Sequence, residues 1–129
     1  MNHKETFLKE LNETFAKGDI GTILDNVTDD IRWEIIGDTI IEGKEAFTQI
    51  LLEMESEGPV ELSIRNIITH GEMASVDGTM TSRKGKSYGF CDVYRLEGYK
   101  NPKVKEMTSY IRELKGETKP QRPTEGTLR

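Results

Sequence analysis

Alternation through Tyr88, Phe90, Asp92, Tyr94 and Leu96 places one carboxylic acid on the same side of an extended segment as three aromatic rings. Gly89, Cys91, Val93 and Arg95 fall on the other side. A carboxylate among aromatics is costly unless it is paired, hydrogen-bonded or protonated. Desolvation would raise its pKa, and a neutral acid could then donate a hydrogen bond to a ligand carbonyl or to an oxyanion forming in a reaction. Asp92 is therefore the candidate catalytic residue, as an acid or oxyanion donor. The structural alternative is that it accepts hydrogen bonds from a buried tyrosine or backbone group and only maintains the shape of the interior. Tyr88 and Tyr94 each bring a phenol that can donate to a ligand or satisfy the acid itself.

Trp33, the sole tryptophan, shares a side with Ile31 and Ile35, while Arg32 and Glu34 point the other way. Aromatic side chains wall small-molecule pockets as well as filling cores. Met107, Ser109 and Ile111 would face the same interior from a final strand, unless a bulge presents Thr108 and Tyr110 instead. The expected ligand-binding set is Trp33, Tyr88, Phe90, Tyr94, Met107 and Ser109. Neither a metal nor a cofactor is expected. His3 and His70 are far apart, and no His-x-x-x-His or comparable ligand spacing exists. Cys91 lies opposite Asp92 with no histidine nearby in sequence, so it is not read as a nucleophile. No glycine loop precedes a helix at phosphate-binding spacing.

The elements that must position these groups follow from periodicity. Over residues 4–17, Phe7, Leu8, Leu11 and Phe15 form a helical stripe, Gly18 suits a left-handed end, and Asp19 can cap a second helix carrying Ile20, Ile23, Leu24 and Val27. Asp29-Asp30 breaks that pattern before the strand through Ile31, Trp33 and Ile35, which ends at Gly37-Asp38. Ala46, Phe47, Ile50, Leu51 and Met54 predict a third helix over residues 44–57, stopped by Gly58-Pro59. Four strands follow, over residues 60–67, 73–83, 87–96 and 104–114, as an antiparallel meander. Gly78 predicts a bulge or bend within the second of them. Residues 116–129, with Pro120, Pro123, Gly116 and Gly126, read as a flexible tail beyond a single domain at 1–115; a lid or partner-binding arm is the alternative.

At 129 residues and 34% apolar side chains the chain has room for one core. No apolar run approaches a membrane span, the first residues show no secretory pattern, and one cysteine permits no internal disulfide, so a cytoplasmic location is expected. The net charge of −5 divides unevenly: residues 1–62 carry −10 and residues 63–129 carry +5. The basic residues are spread singly instead of forming a dense face, which argues against nucleic acid as a partner.

The order helix, helix, strand, helix, four strands carries four further runs: Phe15-Ala16-Lys17-Gly18-Asp19-Ile20-Gly21-Thr22-Ile23-Leu24, Thr28-Asp29-Asp30-Ile31-Arg32-Trp33-Glu34, Glu42-Gly43-Lys44-Glu45-Ala46-Phe47 and Gly89-Phe90-Cys91-Asp92-Val93-Tyr94-Arg95-Leu96. In this combination, over roughly residues 4–114, the chain resembles the SnoaL-like branch of the NTF2-like superfamily. The resemblance implies an α+β fold: a cone-shaped, curved antiparallel sheet wrapped around three N-terminal helices, an NTF2-like/cystatin-like barrel with a deep apolar pocket, usually within a homodimer. It places Asp92 where ketosteroid isomerases hold their oxyanion-binding aspartic acid. It also places Leu11 at the isomerase's oxyanion tyrosine and Ile35 at its proton-abstracting aspartate, so that mechanism is not expected. Where cyclase-like members keep an acidic base, this chain has Arg112 and Glu113.

Function does not follow from fold alone. The expected activity is binding of a small, mostly apolar molecule whose carbonyl or hydroxyl meets Asp92. The alternatives are an acid/base enzyme of isomerase, cyclase or hydratase type using Asp92, and a non-catalytic dimerisation or regulatory domain. The outer sheet face, with Cys91 and Val93 beside Arg95, is expected to pair with a second copy; no membrane partner is expected.

Overall fold

The computed structural model describes residues 1–121. Its elements are α1 (His3–Lys17), α2 (Ile20–Asp25), β1 (Val27–Ile35), β2 (Thr39–Glu42), α3 (Lys44–Ser56), β3 (Glu61–His70), β4 (Met73–Thr81), β5 (Ser87–Glu97) and β6 (Lys103–Leu114). The strands form one curved, unclosed sheet in the order β2-β1-β6-β5-β4-β3. The three helices pack on its concave side, burying Leu8 and Leu11 of α1, Ile23 of α2, and Phe47 and Leu51 of α3 against the strands.

Local chemistry sets the helix ends. Asn2 and Glu5 close a capping box on α1, whose left-handed end is Gly18 (φ 76°). Asp19 then accepts from the Thr22 amide at 3.3 Å and the Thr22 hydroxyl at 2.8 Å, starting α2. That helix stops at Asp25, so Val27, expected on it, opens β1 instead and is buried in the core. The periodicity could not separate the two because Val27 is apolar in either role. Residues 39–42, expected to lead directly into α3, form a short strand paired antiparallel with β1.

The sheet is mixed, not wholly antiparallel: β6 returns beside β1 and runs parallel to it, with Trp33 opposite Met107 and Ile35 opposite Ser109. The pairing slips between Val27 and Arg32, where Asp29 and Asp30 turn outward to meet Lys44 at 3.3 Å and Lys105 at 3.5 Å. A second slip, between Arg95 and Leu96, leaves Lys105 as an extra residue in β6. It lies beyond Met107, so Met107, Ser109 and Ile111 all face inward and the alternative register through Thr108 and Tyr110 is not adopted.

The bulge expected at Gly78 sits across from it: between Ile64 and Asn66 the β3–β4 register shifts, and Arg65 is the extra residue. Gly78 is needed for a different reason. A Cβ there would lie 2.1 Å from the Ser63 carbonyl oxygen, so the two strands come closer than any side chain allows. Residues 115–121 carry no helix or strand, and the remainder of the expected tail, 122–129, lies outside the described residues. No helix among the described residues is long and apolar enough to cross a membrane. Gly78→Ala should lower stability by about 2 kcal/mol through overpacking; urea unfolding measures it, and an unchanged midpoint would mean that β3 moves aside freely.

Candidate functional site

Between the helices and the concave sheet face lies a cavity of about 530 Å³. Asp92 and all six of the residues expected to bind ligand, Trp33, Tyr88, Phe90, Tyr94, Met107 and Ser109, line it. Its rim is formed by exposed residues at the ends of α1 and α3, among them Lys17, Glu55 and Glu57. The wall is otherwise mostly apolar, with Phe15, Ile20, Leu62 and Met80 among its side chains.

The polar groups on the inner wall are delivered by four elements, β5, β6, β1 and α1. Asp92 and Tyr94 follow each other on one face of β5, and the β5–β6 register sets Ser109 directly opposite Asp92. The Ser109 hydroxyl donates to Asp92 Oδ1 at 2.6 Å. It accepts in turn from Trp33 Nε1 of β1 at 2.8 Å. On the other side the Tyr94 hydroxyl donates to Asp92 Oδ2 at 3.5 Å and accepts from Asn12 Nδ2 of α1 at 3.2 Å. Asn12 Nδ2 also donates to the Leu8 carbonyl at 2.9 Å, which fixes which way round its amide sits. The Trp33 ring is at once wall and core: it stands edge-on to Phe15 and Phe47, centroids 6.2 Å and 5.8 Å away.

These surroundings act on Asp92 in opposite directions. Burial pushes its carboxyl up to about 6, while the donors from Ser109 and then Tyr94 hold it back from rising further. Burial, reinforced by the nearby Asp92 charge, keeps the Tyr94 phenol well above its ordinary value and hence neutral. Across the sheet, burial and the charges of Asp77 and Asp92 push the Cys91 thiol up, which opposes thiolate formation.

Asn12 was not legible as a site residue. The one available signal is its position, four residues after Leu8 on the apolar stripe of α1, where a polar side chain must find a partner. Other side chains named in the sequence do not line the cavity. Leu11 is buried in the core, Glu34 pairs with Arg32 at 3.5 Å, and Asp38, Arg112 and Glu113 are exposed. His3 Nε2 meets the Lys100 carbonyl at 2.7 Å, and His70 is exposed at the end of β3. Among the described residues, no three His, Cys, Asp or Glu side chains gather as a metal centre requires.

The arrangement offers a ligand one carboxyl that changes protonation state near neutral pH, in an otherwise apolar enclosure. Such a group can donate a hydrogen bond when protonated and accept one when ionised.

A family model described as a SnoaL-like domain matches residues 8–106. No curated protein matches the sequence. Among solved structures, the chain is similar to an NTF2-like protein of unknown function from Cytophaga hutchinsonii, with 27% identity, a TM-score of 0.62, and coverage of 84% of this chain and 98% of that one. It shares its fold with a putative SnoaL-like polyketide cyclase from Shewanella putrefaciens at 11% identity (TM-score 0.75; 86% and 80% covered). The same holds for an LEH-like epoxide hydrolase from M. tuberculosis at 19% identity (TM-score 0.66; 77% and 74% covered).

The raised carboxyl has a consequence for folding. The folded state holds the Asp92 proton up to about pH 6, whereas the unfolded chain releases it near its usual value of 3.8. The folded state therefore binds more protons between these values, so this residue's contribution to stability is greatest below pH ~4, falls as pH rises to ~6, and is flat above ~7. Urea unfolding of wild type and Asp92→Asn across pH 4 to 7.5 should show the variant gaining on wild type by up to about 3 kcal/mol. A gap independent of pH would show that the carboxyl is not desolvated.

Proposed function

This chain belongs to the SnoaL-like family of the NTF2-like superfamily, whose members include cyclases and epoxide hydrolases, and on that premise we propose that it takes a small, mostly apolar, oxygen-bearing molecule into its cavity, with the oxygen against Asp92. The observation that carries this reading is a single carboxyl, pushed up to about 6, on the inner wall of a largely apolar cavity of about 530 Å³. That volume falls within the ~300–1,000 Å³ typical of small-molecule sites. A domain serving only dimerisation or regulation would be expected to fill such a space with its own side chains, so the open cavity supports binding.

The same carboxyl favours a second reading, acid/base catalysis of isomerase, cyclase or hydratase type. A group that titrates near the working pH can both give and take a proton, which is the optimum for general acid/base work. Asp92 would be the catalytic residue in that case. The lone Cys91 fits a reducing compartment, and the proposed setting is the cytoplasm.

Three probes with one carbon skeleton test the reading: tetralin, 1-tetralone and 1-tetralol. Calorimetric titration near pH 6, where the Asp92 carboxyl populates both its protonated and its ionised form, should give the two oxygenated probes roughly five- to ten-fold higher affinity than tetralin, the worth of one hydrogen bond to a charged or strongly polar group. Asp92→Ala should erase that difference. Failure of all three to bind would overturn the binding reading, and equal binding of tetralin would remove Asp92 from it.

We also propose that the chain pairs with a second copy through the outer sheet face. There Cys91 stands opposite Tyr110 and Val93 opposite Thr108, and Tyr110 is 49% exposed in the single chain. Sedimentation should show a dimer that Tyr110→Lys converts to monomer; a wild-type chain that stays monomeric at high concentration would sink the pairing.

A further inference from the structure

The hydrogen bonds at the inner end of the cavity have a direction. Trp33 Nε1 can only donate, and it donates to Ser109. The Ser109 hydroxyl has one hydrogen, which goes to Asp92 Oδ1. The amide of Asn12 commits its two hydrogens to the Leu8 carbonyl and to the Tyr94 hydroxyl, and the one hydrogen of Tyr94 goes to Asp92 Oδ2. Both chains thus begin at a nitrogen that cannot reverse its role and end at the same carboxyl. Every hydrogen on these four side chains is spent within the protein.

Acceptors are left over. Asp92 Oδ2 is held only by the long 3.5 Å contact from Tyr94 and keeps lone-pair capacity toward the cavity. The carbonyl oxygen of Asn12, also on the cavity wall, takes no hydrogen bond from the protein among the described residues, and no buried side-chain nitrogen or oxygen is left without a partner. Around Asp92 the wall therefore has spare acceptors and no spare donor among these side chains, which complements a ligand that brings its own hydrogen. The uncommitted hydroxyls on the wall are those of Tyr88, four residues before Asp92 on β5, and of Ser82, just after β4. An acceptor-only oxygen such as a ketone would face lone pairs unless Asp92 were itself protonated.

We propose that the ligand presents a hydroxyl, as an alcohol, phenol or enol, to Asp92 Oδ2, and that Asn12 and Trp33 are positioning residues that impose this choice without touching the ligand's oxygen. The proposal deepens the reading above and rests on it. It narrows "carbonyl or hydroxyl" to the hydroxyl class for the ionised site. Deprotonated Asp92 is the form that the two donor chains stabilise, and its titration near 6 leaves it ionised above neutral pH. The other titratable groups lining the cavity are Tyr88 and Tyr94 on the same strand, Lys17 at the end of α1, and Glu55 and Glu57 at the end of α3; the last three lie on the exposed rim.

The test compares 1-tetralol with 1-tetralone by calorimetry on the full chain at pH 8 and pH 5. The alcohol should bind about ten-fold more tightly than the ketone at pH 8, and this preference should vanish or invert at pH 5, where Asp92 becomes a donor. Asp92→Asn should make the ratio independent of pH. If neither probe binds, the binding reading itself fails; if both bind and the ketone is equal or better at pH 8, only the hydroxyl assignment fails. For the positioning role, the Asp92 carboxyl is titrated by carbon-13 NMR in Trp33→Phe and Asn12→Leu. Either loss should move the titration upward, because a donor chain that favours the carboxylate has been weakened at its far end. The pH at which the probe preference changes should move with it. An unmoved titration in both variants would overturn the positioning role, and the wild-type probe comparison stands even if one variant fails to fold.

Discussion

The structure depends on seating one half-buried carboxyl on an apolar wall without leaving it unsatisfied. Asp92 would be a liability in an apolar cavity, and what offsets it is a pair of hydrogen-bond chains reaching β1 through Ser109 and α1 through Tyr94. Four elements therefore have to arrive in one register. β6 must bring Ser109 opposite Asp92, β1 must bring Trp33 to Ser109, and α1 must seat Asn12 over Tyr94. A one-residue slip in any strand would turn its polar group to the far side of the sheet. The network thus does double duty, tuning the acid and fixing the alignment of the elements around it.

The enclosure exists because the sheet bends and the helices do not fill it. Gly78 permits the close strand approach opposite the Arg65 bulge, and bulges of this kind bend the strand that carries them. Phe15, Trp33 and Phe47 pack edge to face on one side, a solid cluster that leaves the space along β5 open. Solid packing at α3 and open volume beside β5 are two outcomes of the same curvature.

Much of this was legible in the sequence, and the parts that were not share a cause. The alternation through Tyr88, Phe90, Asp92 and Tyr94 reports a period of two that a sheet with one buried face must show, and Gly18-Asp19 carries its own cap chemistry. Asn12 escaped because its meaning lies in a partner 82 residues away. The parallel β1–β6 pairing escaped for the same reason, since nothing local in either strand records its neighbour. β2 was too short to show a period, and Val27 is apolar whether it ends a helix or starts a strand. Gly78 pointed to the right place, but whether a bulge falls on a strand or on its partner is decided by the pair.

The place of β6 has a bearing on how the chain assembles. The strand at the centre of the sheet, between β1 and β5, is the one synthesised after all the others. Without β6, the only strand pairings open to the chain are β2-β1 and β5-β4-β3, each with an unpaired inner edge, and Asp92 lacks its serine. Assembly is therefore a late, long-range event, and the half-made chain exposes the edges most prone to pairing with the wrong partner.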